Sequence, residues 1–215
     1  MRLLVERESG IGRVLAGRDG GVAWAVLRPD NVLADGWSGF ETPASDVAVV
    51  AWSGTTGGEL FASDPRCFGA SAWERFGGAC DAMARRGPRV IFRPHARHVL
   101  SDVQRVVKFR ADRPRDRFGV ALDASMLLEP SMLAHAADHY RRAFEALGPI
   151  ADVVWLTGAA APADEESSVR PAPLGEGVVP GELIVGLWRD HCAAGTPIVL
   201  IGDDAVGQAA LIEGG

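Results

Sequence analysis

The sequence predicts an α/β protein built on a parallel sheet, and three observations carry that expectation. Between residues 89 and 158, strand-like and helix-like runs alternate: RVIFRPH, SDVQRVVKFRAD, RFGVALDA, SMLAHAADHYRRAFEALG and ADVVWLTGA. Each strand-like run is short, apolar and β-branched, as strands buried on both faces are. Their polar residues gather at the C-terminal ends, with Arg93 and His95 on the first, Asp123 on the second and Thr157 on the third. In parallel α/β folds, loops at that end bring side chains from several strands around one point.

Taken in order, residues 1–45 form an atypical β-rich segment. RLLVE, GRVLAG and GVAWAVLRP are strand-like, and the last two flank Asp19-Gly20-Gly21, a tight-turn signal that predicts an antiparallel hairpin. LADGWSGFETPAS reads as a loop whose Trp37 and Phe40 cap the core. DVAVVAW, from Asp46, reads as a buried parallel strand. SGTTGG follows it. A glycine-rich loop after a strand can cradle an anion, but this one matches neither the P-loop nor GxGxxG and reads as a flexible loop.

Ser71 and Glu74 have capping-box spacing, and Trp73, Phe76, Cys80 and Met83 then recur on one helical face up to Gly87-Pro88. Val103, Val106 and Val107 form the inner stripe of the next helix; Leu133, Ala136, Tyr140, Phe144 and Leu147 form that of the one after. His135 and His139 lie four apart without the glutamate a metalloprotease helix needs, so they read as solvated surface. AAAPADEESSVRPAP reads as a surface loop on the ligand side. A helix over 181–192, the strand PIVLIGDD and a short closing helix complete the chain.

Composition bounds the rest. A chain of 215 residues, 47% hydrophobic and 23% charged, suits a single soluble globular domain spanning 1–215. A net charge of −6 without an acidic tail argues against nucleic acid and anionic membranes as partners. Cys67, Cys80 and Cys192 have no motif spacing and read as reduced thiols. The N-terminus lacks the apolar core of a signal peptide, and no apolar run approaches the ~20 residues of a membrane span. The expected location is the cytoplasm. Homo-oligomerisation is left open.

Alternation of this kind fits an open doubly wound sheet or most of a (β/α)8 barrel. A full barrel takes about 250 residues, and residues 1–45 cannot hold three βα units. From 46 to 204, the chain resembles the xylose-isomerase-like TIM-barrel family, which includes sugar-phosphate isomerases and epimerases and endonuclease IV-type enzymes. The residues that carry the resemblance are Arg93-Pro94-His95, Asp123-Ala124-Ser125-Met126, Trp155-Leu156-Thr157-Gly158, Gly175-Glu176-Gly177 before the last long helix, and Gly202-Asp203-Asp204 after the final strand. The resemblance implies a TIM-barrel-like (β/α) fold, shortened or incomplete at its N-terminal part and carrying a β-hairpin there.

The resemblance also implies a divalent metal held by carboxylates and histidines at the strand ends. Arg93, Met126 and Trp155 stand where such ligands are expected, leaving Asp123 and a substitute in Asp203. Arginine cannot ligate a cation and adds a fixed positive charge, so the metal site reads as degenerate and no cofactor is expected. Arg93 instead favours a phosphate or carboxylate; Asp123 either pairs with Arg93, as a structural ion pair plugging the barrel mouth, or acts as general base with His95 as proton shuttle. Trp52, Trp155, Asp203 and Glu176 are the further candidates for contact with a ligand. Two functions follow: isomerisation or epimerisation of a small carbohydrate or its phosphate, or non-catalytic binding of an anionic or sugar ligand, or of a partner protein, in a closed mouth.

Overall fold

The computed structural model describes residues 2–9, 12–17, 23–40, 47–85, 87–164 and 167–214. Eight strands close into a barrel: β1 (Leu3–Ser9), β2 (Gly12–Gly17), β3 (Ala25–Arg28), β4 (Ala48–Trp52), β5 (Val90–Arg93), β6 (Phe118–Leu122), β7 (Val153–Trp155) and β10 (Ile198–Leu200). From β3 round to β1 every neighbouring pair is parallel. β2 alone runs the other way, antiparallel to both β1 and β3. The five α-helices among the described residues are α1 (Ala70–Arg85), α2 (Val103–Asp112), α3 (Ala136–Leu147), α4 (Gly181–His191) and α5 (Ala205–Gly214).

The reversed strand answers the length problem. A parallel crossover consumes a dozen or more residues, whereas an antiparallel return takes a few. By doubling back, β2 lets three strands fit ahead of β4, so the N-terminal segment completes the barrel. The pairing of β2 with β3 is the expected hairpin, and β1 extends it to a three-stranded meander. Its Asp19-Gly20-Gly21 turn lies outside the described residues, as do Asp46 and part of the loop before it.

Alternation along the strands separates two cores. Leu4, Leu15, Ala25, Val50, Ile91, Ala121, Val153 and Val199 point inward and fill the barrel. Their neighbours Val49, Phe92, Val120, Val154 and Ile198 pack outward against Phe76, Phe109, Phe144 and Leu187 of the helices. Burial on both faces is why these strands read as unbroken apolar runs. Trp37 and Phe40 pack on the outer core, as expected.

Several local expectations are corrected. Ser71 lies inside α1, which begins at Ala70, so it is not an N-cap. Asp102 is the cap of α2, its carboxylate accepting from the Arg105 amide at 2.9 Å. On α2, Val107 is exposed while Phe109 and Arg110 turn inward. His135 belongs to a 3-10 segment ahead of α3, so it and His139 do not share one α-helical face. The expected loop after β7 contains a two-stranded hairpin, β8 (Gly158–Ala160) with β9 (Arg170–Ala172). The loop after β4 is pinned: Asn31 accepts from the Thr55 amide (3.0 Å) and donates to its carbonyl (2.8 Å), the Thr56 amide reaches the Cys67 sulfur and the Gly57 amide reaches the Thr55 hydroxyl. Those three amides are thereby occupied within the protein.

The Gly175-Glu176-Gly177 segment lies across β8. A Cβ on Gly158 would stand 1.8 Å from the Glu176 carbonyl oxygen, and one on Gly177 (φ +86°) 2.4 Å from that of Ala159. Gly158→Ala is expected to destabilise the protein by about 3 kcal/mol in urea denaturation. Gly186→Ala, where a Cβ meets open space within α4, should be neutral or stabilising by up to about 1 kcal/mol.

Candidate functional site

The inward-pointing alternation continues past the apolar layers to the C-terminal mouth, where it becomes charged and aromatic. Glu6 on β1, Trp52 at the end of β4, Arg93 at the end of β5 and Trp155 at the end of β7 follow the inward residues Leu4, Val50, Ile91 and Val153 by two positions each. The guanidinium of Arg93 is held between two indoles, its Cζ 5.0 Å from the ring centroid of Trp52 and 4.4 Å from that of Trp155. Both Nε (3.1 Å) and Nη2 donate to Oδ2 of Asp123, and Nη1 lies 3.6 Å from Glu6 Oε1.

Asp123 is fully buried and saturated. While Arg93 takes Oδ2, its Oδ1 accepts from Ser125 Oγ at 2.6 Å and from Thr157 Oγ1 at 2.9 Å. Tyr140 donates to the Thr157 carbonyl at 2.9 Å, and burial raises its phenol well above the usual range. A general base needs a free lone pair within reach of substrate. Asp123 has neither that nor a place on the wall of the mouth cavity.

That cavity, of about 330 Å³, is lined by Glu6, Arg13, Arg28, Trp52 and Arg93 with Leu27, Pro29, Val50 and Ala51. Glu6 bridges it, accepting from Trp155 Nε1 at 3.0 Å and from Arg13 Nη2 at 2.5 Å. Arg28 differs from the other two arginines: its Nε is buried and, among the described residues, has no hydrogen-bond partner. A larger cleft of about 990 Å³ lies between residues 59–63, Glu129 and the 163–170 segment. Its one deeply buried charge, Arg97, is already engaged by Glu129 and by the carbonyls of Phe61 and Ser167.

His95 lies beside this mouth rather than in it. Its Nδ1 accepts from the Arg97 amide at 3.0 Å, and its ring packs with Trp52, Phe61 and His98. Burial, aided by His98, Arg97 and Arg93, holds its imidazole well below the usual range, so it is neutral at pH 7. His98 is buried too. The Leu60 carbonyl 2.6 Å from Nε2 can only accept, so the proton sits on Nε2 and leaves Nδ1 without a partner. Burial lowers His98 to about 4.

Arg93, Asp123 and Trp155 are thus brought together, with His95 adjoining. Asp203 and Glu176 are not: both are exposed and neither lines the mouth cavity. Of the two aspartates after the final strand, Asp204 serves α5, its Oδ1 accepting from the Gly207 amide. The expected substitution of Asp203 for a metal-binding glutamate therefore has no support. No group of three His, Cys, Asp or Glu side chains among the described residues is arranged to hold a metal ion. The residues present do not fit one, since a fixed guanidinium sits against Asp123 and the other candidate carboxylate, Asp203, does not line the cavity. Sequence reasoning missed Glu6, Arg13 and Arg28. Glu6 was detectable as a charge at the inward phase of LLVERES, once that run is paired into the barrel.

Asp123→Asn is expected to destabilise the fold by about 3–5 kcal/mol in chemical denaturation, because it leaves Arg93 buried without its counter-ion. Stability is also expected to fall with acid. The unfolded chain binds a proton at His98 near pH 6.5, while the folded chain does so only near pH 4, so stability is lost as pH drops between those values. The loss amounts to roughly 3 kcal/mol from this group, and His98→Gln should flatten that limb of the pH profile.

No protein-family model matches the chain, and no curated protein does either. Among solved structures it is similar to a xylose isomerase-like TIM barrel protein from Mycobacterium smegmatis in complex with magnesium (17% identity, TM-score 0.47, 78% of this chain and 58% of that chain). It is also similar to a xylose isomerase domain protein from Planctomyces limnophilus (15%, 0.45, 78% and 56%) and to the probable 3-DHS dehydratase AsbF from Bacillus anthracis (13%, 0.46, 77% and 61%). The chain spans less than two thirds of the length of each. A TIM-barrel-like fold wrapped by helices and shortened at its N-terminal end is what the sequence resemblance implies, and the strand pairing shows such a barrel, closed by eight strands of which β2 runs antiparallel.

Proposed function

We propose that the protein binds a small anionic ligand, a carbohydrate acid or carbohydrate phosphate, in the mouth cavity, and that it does so without a divalent metal. The observation that carries this reading is Arg28, which lines a cavity shared with Arg93 and Trp52 and whose Nε is buried without a hydrogen-bond partner among the described residues. A buried donor left unpaired costs about 1–3 kcal/mol, and a ligand carboxylate or phosphate removes that cost. Trp52, Leu27 and Val50 supply an apolar and aromatic wall for a ring or carbon chain.

This favours binding over isomerisation or epimerisation. Proton abstraction would need Asp123 or His95 at the substrate, and neither reaches the cavity. The electrophilic role that a metal would play needs ligands that Arg93, Met126 and Trp155 do not supply.

Calorimetric titration with D-gluconate and D-glucose 6-phosphate is expected to show binding of at least one of them. Arg28→Ala should weaken it by about tenfold or more without lowering the melting temperature, since among the described residues Arg28 Nε has no partner to lose. Absence of binding by both anions, or binding indifferent to Arg28, would overturn the proposal. So would stoichiometric zinc or manganese in the purified protein.

A further inference from the structure

Resting on that reading, we infer that the mouth cavity selects a hydroxylated monocarboxylate and discriminates against phosphate esters, with Glu6 as the specificity-determining residue. The argument is one of charge. Arg93 is neutralised by Asp123, and Arg13 is paired with Glu6. Among the described residues Arg28 takes part in no ion pair, so the charges they place on the cavity wall leave one positive charge uncompensated. One anionic charge balances it. A phosphate monoester carries close to two at neutral pH, and the second would face the Glu6 carboxylate across a cavity of only about 330 Å³.

Glu6 also sets what the rest of the ligand must offer. It accepts from Trp155 and Arg13 and lies near Arg93, and a carboxylate has more lone-pair sites than those contacts use. What it can accept from a ligand is a donor, and a hydroxyl supplies one without adding charge. A carboxylate bound at Arg28 with hydroxyls toward Glu6 satisfies both poles. Trp52, on the strand next to that of Arg28, supplies an aromatic wall for the carbon skeleton.

Three probes of similar size and different charge test this: D-gluconate (one negative charge), D-glucose 6-phosphate (nearly two) and D-glucose (none). For the wild-type protein, calorimetry should give gluconate an affinity about tenfold or more above that of glucose 6-phosphate, with glucose weaker than either. Glu6→Gln keeps a hydrogen-bonding side chain of the same shape and removes the charge, so it should bring glucose 6-phosphate level with gluconate or above it. Wild-type preference for glucose 6-phosphate, with binding still dependent on Arg28, would overturn the monocarboxylate inference and leave anion binding standing. Failure of both anions to bind would sink both. The wild-type comparison decides the matter even where Glu6→Gln does not fold. Where the variant folds, an unchanged preference would remove Glu6 from the role assigned to it.

Discussion

The mouth of this barrel depends on the ion pair between Arg93 and Asp123. A guanidinium so nearly buried costs several kcal/mol unless its charge is met and its donors are satisfied. Asp123 meets the charge, the Ser125 and Thr157 hydroxyls fix the carboxylate, and the indoles of Trp52 and Trp155 cover the guanidinium's faces. A cation–π contact in a desolvated setting is worth about 2 kcal/mol, and here one cation has two. Carboxylates gathered at strand ends need a positive charge among them. At this mouth an arginine carried by β5 supplies it.

The reversed strand β2 shapes the site as well as the barrel. Because it runs down from the mouth, its early residues lie at the same height as the later residues of β1. Glu6 pairs with Leu15 and Glu8 with Arg13, so Glu6 and Arg13 are diagonal neighbours on one face. A parallel β2 would place its first residues at the opposite end of the barrel, and Arg13 could not reach Glu6. Outside β2 and β3, the described residues that cluster are Val14, Ala16, Val26 and Val47, with Ala23 packed against them. Compression at the N-terminus thus gives the mouth two arginines and a glutamate in place of βα loops.

The part of the fold legible in the sequence is the part where local pattern and global position agree. The runs from β4 to β7 are apolar because both faces are buried, and their helices carry one clear stripe each. The N-terminal strands were legible as strands but not as barrel staves, since closure is set by pairing between residues far apart, such as Leu3 with Ile198. Arg93 and Asp123 were legible as neighbours because they end consecutive strands. Their saturation was not, for it depends on Thr157 from a third strand and on the short helical turn that carries Ser125. Asp203 and Glu176 were carried over from motif position alone, and position along the chain does not say which way a loop side chain turns.

These constraints bear on any chemistry the site performs. Proton transfer needs a carboxylate or imidazole with a free lone pair facing the bound molecule. Asp123 has spent both oxygens within the protein, and His95 has turned its Nδ1 to the Arg97 amide. Glu6 is the one carboxylate on the cavity wall. Its carboxylate accepts from Arg13 and from the Trp155 indole, with Arg93 nearby. Those contacts hold Glu6 as a fixed acceptor, and a fixed acceptor on the same cavity wall as an arginine that forms no ion pair among the described residues is the geometry of recognition.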